Sequence, residues 1–449
     1  ADMPCLMYLQ GGPGFPAGRP TFPLSGWMAA ASEKGFRILL LDQRGTGLSS
    51  ALTPASLVRQ HPSAEAQAEH LSFFRADSIV RDCEVVRRSL CGDDTKLTLL
   101  GQSFGGFVML TYLSLFPGSL ERCLFTFGLA PVMREVEEVY AATFQRMMER
   151  NLRFFERYPS DETKLKAIGT FLETKDQNHD AQELPSGGRL TLRRFLQSGL
   201  LLGRADGMEA LHYLLEDAWE VSPDSSQLSS VFLDTMDKLH SFETNPLYWL
   251  LHEAIYMNGP RDSPSAWAAQ RIQGDFGRGS LPPAATASLG PKGMKDLEQC
   301  LRRFELPSDK PIRLGDDGDD QAAAPLSPSP SSRSIPMLTG EMVYSWMASD
   351  FKQLAPLADA AQILAQKKDW PPLYNLNTLD RTEVPCAALV SYEDVYVERR
   401  FSEETAKLLG PNCKVWITNE FQHSGLRDDP ARVFDTLLDM ANGQKAIPS

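Results

Sequence analysis

Leu97-Thr98-Leu99-Leu100-Gly101-Gln102-Ser103-Phe104-Gly105-Gly106 is the stretch that decides the fold. Leu97–Leu100 reads as a buried strand, and G-x-S-x-G follows it at once. Phe107–Phe116 then reads as a helix, closed by Pro117-Gly118. A serine at such a strand-to-helix junction sits in a turn so sharp that only glycine fits on either side. Its hydroxyl lies at the helix N-terminus, where dipole and amides favour developing negative charge. In a loop the pentapeptide would carry little meaning. Between a strand and a helix it marks Ser103 as a nucleophile.

The neighbouring segments repeat the rhythm. Cys5–Leu9 reads as a strand ending in Gly11-Gly12-Pro13-Gly14, and Arg37–Leu41 as a buried strand ending in Asp42-Gln43-Arg44-Gly45. Ala76–Leu90 has a helical period that puts Ile79, Cys83, Val86 and Leu90 on one face. Cys123–Phe127 is a further strand. This alternation implies a parallel sheet with helices on both faces. From residue 132 the pattern turns helical, as in Glu135–Tyr158, Met342–Gln353 and Ala355–Gln366. Strands return at Cys386–Val390 and Cys413–Ile417, with helices at Glu403–Leu409 and Ala431–Ala441. The organisation expected is a core over 1–131, a mainly helical insertion over 132–375, and the rest of the core over 376–449. Residues 306–336, rich in Pro, Ser, Asp, Ala and Gly, are expected to form a flexible loop. The chain opens on Ala1-Asp2-Met3-Pro4 directly before a strand, so the first strands of the fold and any targeting segment are expected upstream of it.

Composition narrows the function. With 42% hydrophobic residues in 449, the chain can bury a large core. A net charge of −13 speaks against nucleic acid or an anionic membrane surface as partner. No run approaches the roughly 18 apolar residues of a membrane span. The 7 cysteines are odd in number, scattered and without a CxxC pair, which argues against a disulfide framework or a zinc site. A reducing, cytoplasmic setting is the expectation.

Two glycine-rich turns flank the elbow. Gln10-Gly11-Gly12-Pro13-Gly14 can aim a backbone N–H at a substrate carbonyl oxygen, and Gly12 is the donor expected to join Phe104 N–H in an oxyanion hole. Asp42 to Ser49 reads as structural, with Asp42 and Arg44 expected to pair and brace the loops. QGGPG (10–14), DQRGTGLS (42–49) and GQSFGG (101–106), in this order and spacing, resemble the prolyl aminopeptidases (proline iminopeptidases) of the α/β-hydrolase superfamily. The larger fungal and actinobacterial type is the better match. The resemblance covers nearly the whole chain and is sharp over 1–130 and 380–430. Smaller members read HGGPG where this chain has Gln10, but the backbone amides do not depend on that side chain. What the resemblance implies is an α/β-hydrolase fold with an inserted helical cap.

That fold carries its triad in the order Ser, acid, His. Of the histidines at 61, 70, 179, 212, 240, 252 and 423, only His423 follows the last strand. The acid should end the strand Cys386–Val390, where Glu393 and Asp394 compete. The resemblance favours Asp394, because smaller family members carry a Tyr-Asp-Met type motif that matches Asp394-Val395. It also implies cap glutamates that hold a free amino terminus. Glu253 and Glu341 are the candidates, since both sit among apolar and aromatic residues, and a helix cap or surface charge is the plainer alternative. Tyr256, Tyr344 and Trp346, with Phe104, are candidates to line a proline pocket, although aromatics at helical spacing are more often core.

The function implied is release of N-terminal proline from peptides through a prolyl-enzyme, which requires no metal or organic cofactor. A carboxylesterase with the same triad is the rival within the fold. A catalytically dead binding protein is the rival outside catalysis. The sequence leaves oligomeric state open.

Overall fold

A computed structural model describes residues 3–220, 227–278, 295, 303–305 and 335–445. The expected loop at 306–336 lies outside the described residues, except Ile335 and Pro336, which pair with Phe304 and Glu305. The core strands are β1 (Cys5–Leu9), β2 (Arg37–Leu40), β3 (Leu97–Gln102), β4 (Leu120–Thr126), β5 (Cys386–Ser391) and β6 (Cys413–Thr418). They form one parallel sheet in the order β6-β5-β4-β3-β1-β2.

Helices cover both faces. They include α1 (Gly26–Glu33), α2 (Ala76–Cys91), α3 (Phe104–Leu115), α4 (Val136–Arg157), α5 (Ala268–Arg278), α6 (Arg399–Leu408) and α7 (Pro430–Ala441). Alternate residues of one strand serve opposite layers: Cys5, Met7 and Leu9 pack with α2 and α3, and Leu6 and Tyr8 with α1 and α7. With both faces buried, β1, β3 and β5 are largely apolar runs without a polar side, whereas the edge strands β2 and β6 keep partly exposed residues. The strand order reverses at β1, which lies between β2 and β3. The turns after β1 and β3 therefore meet at the C-terminal edge of the sheet, the place where such sheets bind ligands.

The segment between β4 and β5 is mainly helical and is fastened to the core by charge. Arg146 of α4 makes a bidentate pair with Glu398, at 2.7 and 3.0 Å, on a carboxylate that is fully buried. Glu398 precedes α6 by one residue and caps it, accepting a hydrogen bond from Arg400 N. Arg134, just before α4, pairs with Glu404 of α6.

Four expectations change in detail. The nucleophile helix begins at Phe104, three residues earlier than its apolar period suggested, because Gly106 N already bonds back to Ser103 O at 2.7 Å. Met342–Gln353 is not one helix, and only Met347–Asp350 is helical. Side chains take the backbone groups before it: Gln197 donates to Met342 O, Trp249 to Tyr344 O, and Gln270 accepts from Ser345 N. On α2, Leu90 is exposed, and the buried face runs instead through Ile79, Cys83, Glu84 and Arg87. Arg87 pairs with Glu84, which also accepts the Tyr112 hydroxyl of α3. Asp42 and Arg44 do not pair with each other. Asp42 binds Arg19 at 2.6 Å, whereas Arg44 grips Asp82 of α2 through two nitrogens, each at 2.7 Å. Both still brace the loops, each to a different neighbour.

The elbow is one of the tight points of this packing. A Cβ on Gly105 would lie 2.0 Å from the carbonyl oxygen of Leu9, and one on Gly101 would lie 2.4 Å from Met109 Sδ. A Cβ on Gly118, by contrast, would meet nothing within 4 Å. Gly105→Ala is thus expected to lower the urea midpoint sharply or prevent soluble expression, and Gly118→Ala to leave the midpoint unchanged. Equal midpoints for the two variants would contradict the packing described.

Candidate active site

Ser103 holds a backbone conformation, φ 53° and ψ −123°, that costs an L-residue about 1–3 kcal/mol. Its surroundings fix it there: Ser103 N donates to Thr126 O of β4 at 2.9 Å, and helix α3 starts at the next residue. The hydroxyl is thereby presented at the helix N-terminus.

The turn after β1 lies directly against the elbow. A Cβ on Gly11 would be 3.0 Å from Ser103 Cβ, and one on Gly14 would be 2.8 Å from Leu247 Cβ in the cap. The turn is therefore clamped between nucleophile and cap. Gly12, the expected oxyanion donor, follows Gly11 with φ 131° and abuts the Phe15 ring. Gln10, which stands where smaller relatives have His, accepts the Tyr8 hydroxyl at 2.8 Å, and its carbonyl accepts Gln43 Nε2 at 2.9 Å.

The acid and base candidates meet. His423 Nδ1 is 2.8 Å from Asp394 Oδ2. The other oxygen of Asp394 accepts the backbone N–H groups of Tyr396 and Val397 at 2.9 and 3.1 Å. Asp394 is 2% exposed, so three donors offset its desolvation. With Nδ1 donating to the carboxylate, Nε2 carries the lone pair, and it is buried without a hydrogen-bond partner. Gln102, the residue before the nucleophile, donates to His423 O at 3.2 Å and links the two loops. The rings of Phe127 and Tyr396 flank the imidazole, with centroids 5.5 and 5.0 Å away. Glu393 points elsewhere and pairs with Arg153 of α4.

The two cap glutamates have different surroundings. Glu341 has tyrosines and the triad acid around it. Tyr248 donates to its backbone carbonyl at 3.2 Å, and His252 Nε2 stands 3.9 Å from its carboxylate. Burial, with Asp394 as a second cause, pushes the Glu341 carboxyl well above the usual carboxylate range. Tyr256 and Tyr396 feel both charges, and burial first of all holds their hydroxyls protonated. Glu253 is tied instead to the start of α5, where its Oε1 accepts Ala269 N at 3.4 Å. Its Oε2 is unpartnered, and burial pushes its pKa up to about 7.

Of the expected pocket aromatics, Tyr256 packs edge-on against Phe107 of α3, 5.9 Å away, within the same cluster as Glu341. Tyr344 and Trp346 stack on each other at 5.2 Å, and Arg193 covers Trp346 at 4.7 Å. Tyr344 O also accepts the Trp249 Nε1–H at 2.9 Å. Sequence reasoning missed Tyr248, Tyr396, His252 and Tyr140. Tyr396 could have been found as the second residue after the acid, and Tyr248 and His252 by their place in the aromatic run holding Glu253. Tyr140 lies on α4, and only the three-dimensional packing brings it there.

A model of the alpha/beta hydrolase fold family matches residues 4–249. A proline iminopeptidase of Aeromonas sobria is 42% identical over 437 residues, covering 97% of this chain and 87% of that protein. Proline iminopeptidase aneH of Aspergillus aculeatus is 29% identical over 444 residues, covering 97% and 85%. A third proline iminopeptidase, from Thermoplasma volcanium, is 29% identical over 178 residues, covering 40% of this chain and 48% of its own. Among the described residues, no helix is long and apolar enough to cross a membrane.

The geometry separates the two adjacent carboxylates. Asp394→Asn is expected to slow labelling by a fluorophosphonate about 10³-fold or more, because the amide no longer fixes the productive imidazole tautomer. Glu393→Gln is expected to label at the parental rate. Reversed effects would move the acid to Glu393.

Proposed function

The chain belongs to the proline iminopeptidase family of alpha/beta hydrolases, and we propose that it releases N-terminal proline from peptides by acyl transfer through Ser103. The observation that carries this reading is the full-length likeness to the Aeromonas sobria proline iminopeptidase, 42% identical over 97% of the chain. The site geometry supplies chemistry that fits it.

His423 Nε2 takes the proton of Ser103 Oγ, and the oxygen attacks the carbonyl carbon of the first peptide bond. Negative charge passes to the carbonyl oxygen, where the N–H groups of Gly12 and Phe104 receive it. Asp394 stabilises the imidazolium without itself becoming protonated. The imidazolium gives its proton to the leaving amine, and the prolyl ester remains on Ser103. Water, activated by the same imidazole, then frees proline.

An exopeptidase must also register a free amino terminus. Glu341 is our choice for the residue that receives it, since its carboxylate lies within electrostatic reach of Asp394 and among Tyr248, Tyr256 and Tyr396. A cationic amine supplies the counter-charge that this buried carboxyl lacks. Glu253, with one oxygen unpartnered, is the second carboxylate of the cap within reach of the cluster through Tyr140. Tyr256 supplies an apolar wall for the pyrrolidine ring. The substrates are peptides with N-terminal proline, and the odd, scattered cysteines favour a cytoplasmic setting.

A panel of aminoacyl arylamides, with p-nitrophenyl acetate beside it, tests the reading. Prolyl arylamide is expected to be the preferred substrate, and Ser103→Ala to abolish its turnover. Glu341→Gln is expected to raise KM for prolyl arylamide tenfold or more, while hydrolysis of the acetate, which has no amine, stays near parental. Turnover of the acetate alone would make the enzyme an esterase. Failure of a fluorophosphonate to label Ser103 would remove the hydrolase reading altogether.

A further inference from the structure

His252 is one of the largest departures from ordinary polar burial in the cap. It is 1% exposed, and burial depresses its pKa to about 3, so it stays neutral at any working pH. A neutral imidazole has one N–H and one lone pair, and what each faces decides its role. Nδ1 lies 3.1 Å from the hydroxyl of Tyr140. Tyr140 is itself buried, and its hydroxyl remains protonated because desolvation, ahead of the charges of Glu253 and Glu341, pushes its pKa well above the usual value. A protonated hydroxyl beside Nδ1 can donate to it, which leaves the proton on Nε2. That N–H lies 3.9 Å from Glu341 Oε1, longer than a hydrogen bond, so a small approach of the two side chains is needed to make one.

Packing holds the ring in this attitude. The Tyr248 ring lies 4.7 Å from it and the Tyr256 ring 5.9 Å, the latter edge-on. The same tyrosines surround Glu341. The order of groups is therefore Tyr140 hydroxyl bonded to Nδ1, and Nε2–H directed towards the Glu341 carboxylate 3.9 Å away. The hydroxyl fixes the histidine tautomer, so that the other ring nitrogen can orient a neighbouring polar group.

We infer that His252, its tautomer fixed by Tyr140, is a positioning residue that orients the Glu341 carboxylate for the amino terminus of the substrate. The inference rests on the reading that Glu341 receives that amine. No proton need move: the Tyr140 O–H donates, the imidazole N–H donates, and the carboxylate accepts from the imidazole and from the substrate ammonium. An N–H aimed at Glu341 favours its ionised form against burial and against the charge of Asp394. The other titratable groups facing the cluster are Tyr248, Tyr256, Tyr396 and Glu253, and burial keeps the three tyrosines neutral.

The test compares parent, His252→Gln, His252→Phe and Tyr140→Phe on prolyl arylamide and p-nitrophenyl acetate across pH. Gln retains an amide N–H near the position of Nε2, whereas Phe keeps the ring and removes the donor. His252→Phe is expected to raise KM for prolyl arylamide ten- to hundredfold, the effect of losing a hydrogen bond to a charged group, with a smaller change in kcat. The acid limb of kcat/KM should move to higher pH by about one unit, because Glu341 loses a donor to its charged form. On the acetate, which has no amine for Glu341 to hold, no shift is expected. His252→Gln should recover most of the KM. Tyr140→Phe should leave the fold intact and, in ¹⁵N spectra, turn the single Nε2–H tautomer of His252 into a mixture. If the parent cleaves prolyl arylamide and both Phe variants keep its KM and acid limb, His252 does not orient Glu341. If the parent does not cleave prolyl arylamide, the proposed function fails and the inference with it.

Discussion

The whole site hangs on a steric constraint, the contact between the start of α3 and the end of β1. Gly105 approaches Leu9 so closely that a Cβ would lie 2.0 Å from its carbonyl oxygen. That approach lets the strand turn into a helix within one residue, and it forces Ser103 into φ 53°. The same proximity brings the Gln10–Gly14 turn against the nucleophile, since Gly11 also borders Ser103 Cβ. Its amides are thereby fixed before any substrate arrives, which is what electrostatic preorganisation requires. Strain at the serine is held by the sheet beneath it: Thr126 O takes the Ser103 N–H, and Thr126 Oγ1 donates to Gly101 O.

The loops that complete the triad depend on the sheet in a looser way. Asp394 follows the end of β5 and His423 the end of β6, and these strands are neighbours in register from Cys386 opposite Cys413 to Ser391 opposite Thr418. Parallel register carries both side chains to the same edge as Ser103. The last step of alignment is local, made by the backbone N–H groups of Tyr396 and Val397 on Asp394 and by Gly203 O accepting His423 N at 2.9 Å. Gly203 belongs to the cap segment. The segment between β4 and β5 therefore holds the His423 backbone, and Arg146 on Glu398 ties that segment to the start of α6.

How much of this was legible in the sequence follows from the range of the interactions. The elbow turn, the strands and the loops that bring Asp394 to His423 were readable because each is written in a few consecutive residues with a forced geometry. Strands buried on both faces announce themselves as apolar runs, and β1, β3 and β5 all do. The helix expected at Met342–Gln353 failed for the opposite reason. Its backbone groups are taken by Gln197, Trp249 and Gln270, residues at least 75 positions away in the chain, and no local pattern encodes that. Asp42 and Arg44 looked like partners because they are two apart, yet each finds a better-placed ion across the fold, at Arg19 and Asp82. The cap pocket was legible in composition only. The sequence put Glu253, Glu341, Tyr256, Tyr344 and Trp346 on a short list, and could not say that Glu341 and Tyr256 share surroundings with Tyr248 and Tyr396.

The cap cluster carries an argument about selectivity that the triad alone does not. A triad of this kind will attack any accessible carbonyl held near it, so discrimination has to come from elsewhere. A carboxyl buried among Tyr140, Tyr248, Tyr256 and Tyr396 and near Asp394 is costly to ionise without a counter-charge, and a buried ion left without its partner costs about 3–5 kcal/mol. In the proposed reading, a substrate with a free amine supplies the missing cation, whereas an N-acylated peptide brings a neutral amide and leaves Glu341 unpaired or protonated. The penalty falls on the wrong substrate, which makes the cluster a device of exclusion as much as attraction. The tyrosines serve this better than alkyl side chains would. They surround the partly buried carboxyl with ring faces, and their hydroxyls stay neutral, so none adds a charge of its own. The electrostatics then depend on one carboxylate and one amine. A fixed Nε2–H from His252 would hold that carboxylate without supplying the cation, so full neutralisation is reserved for the substrate.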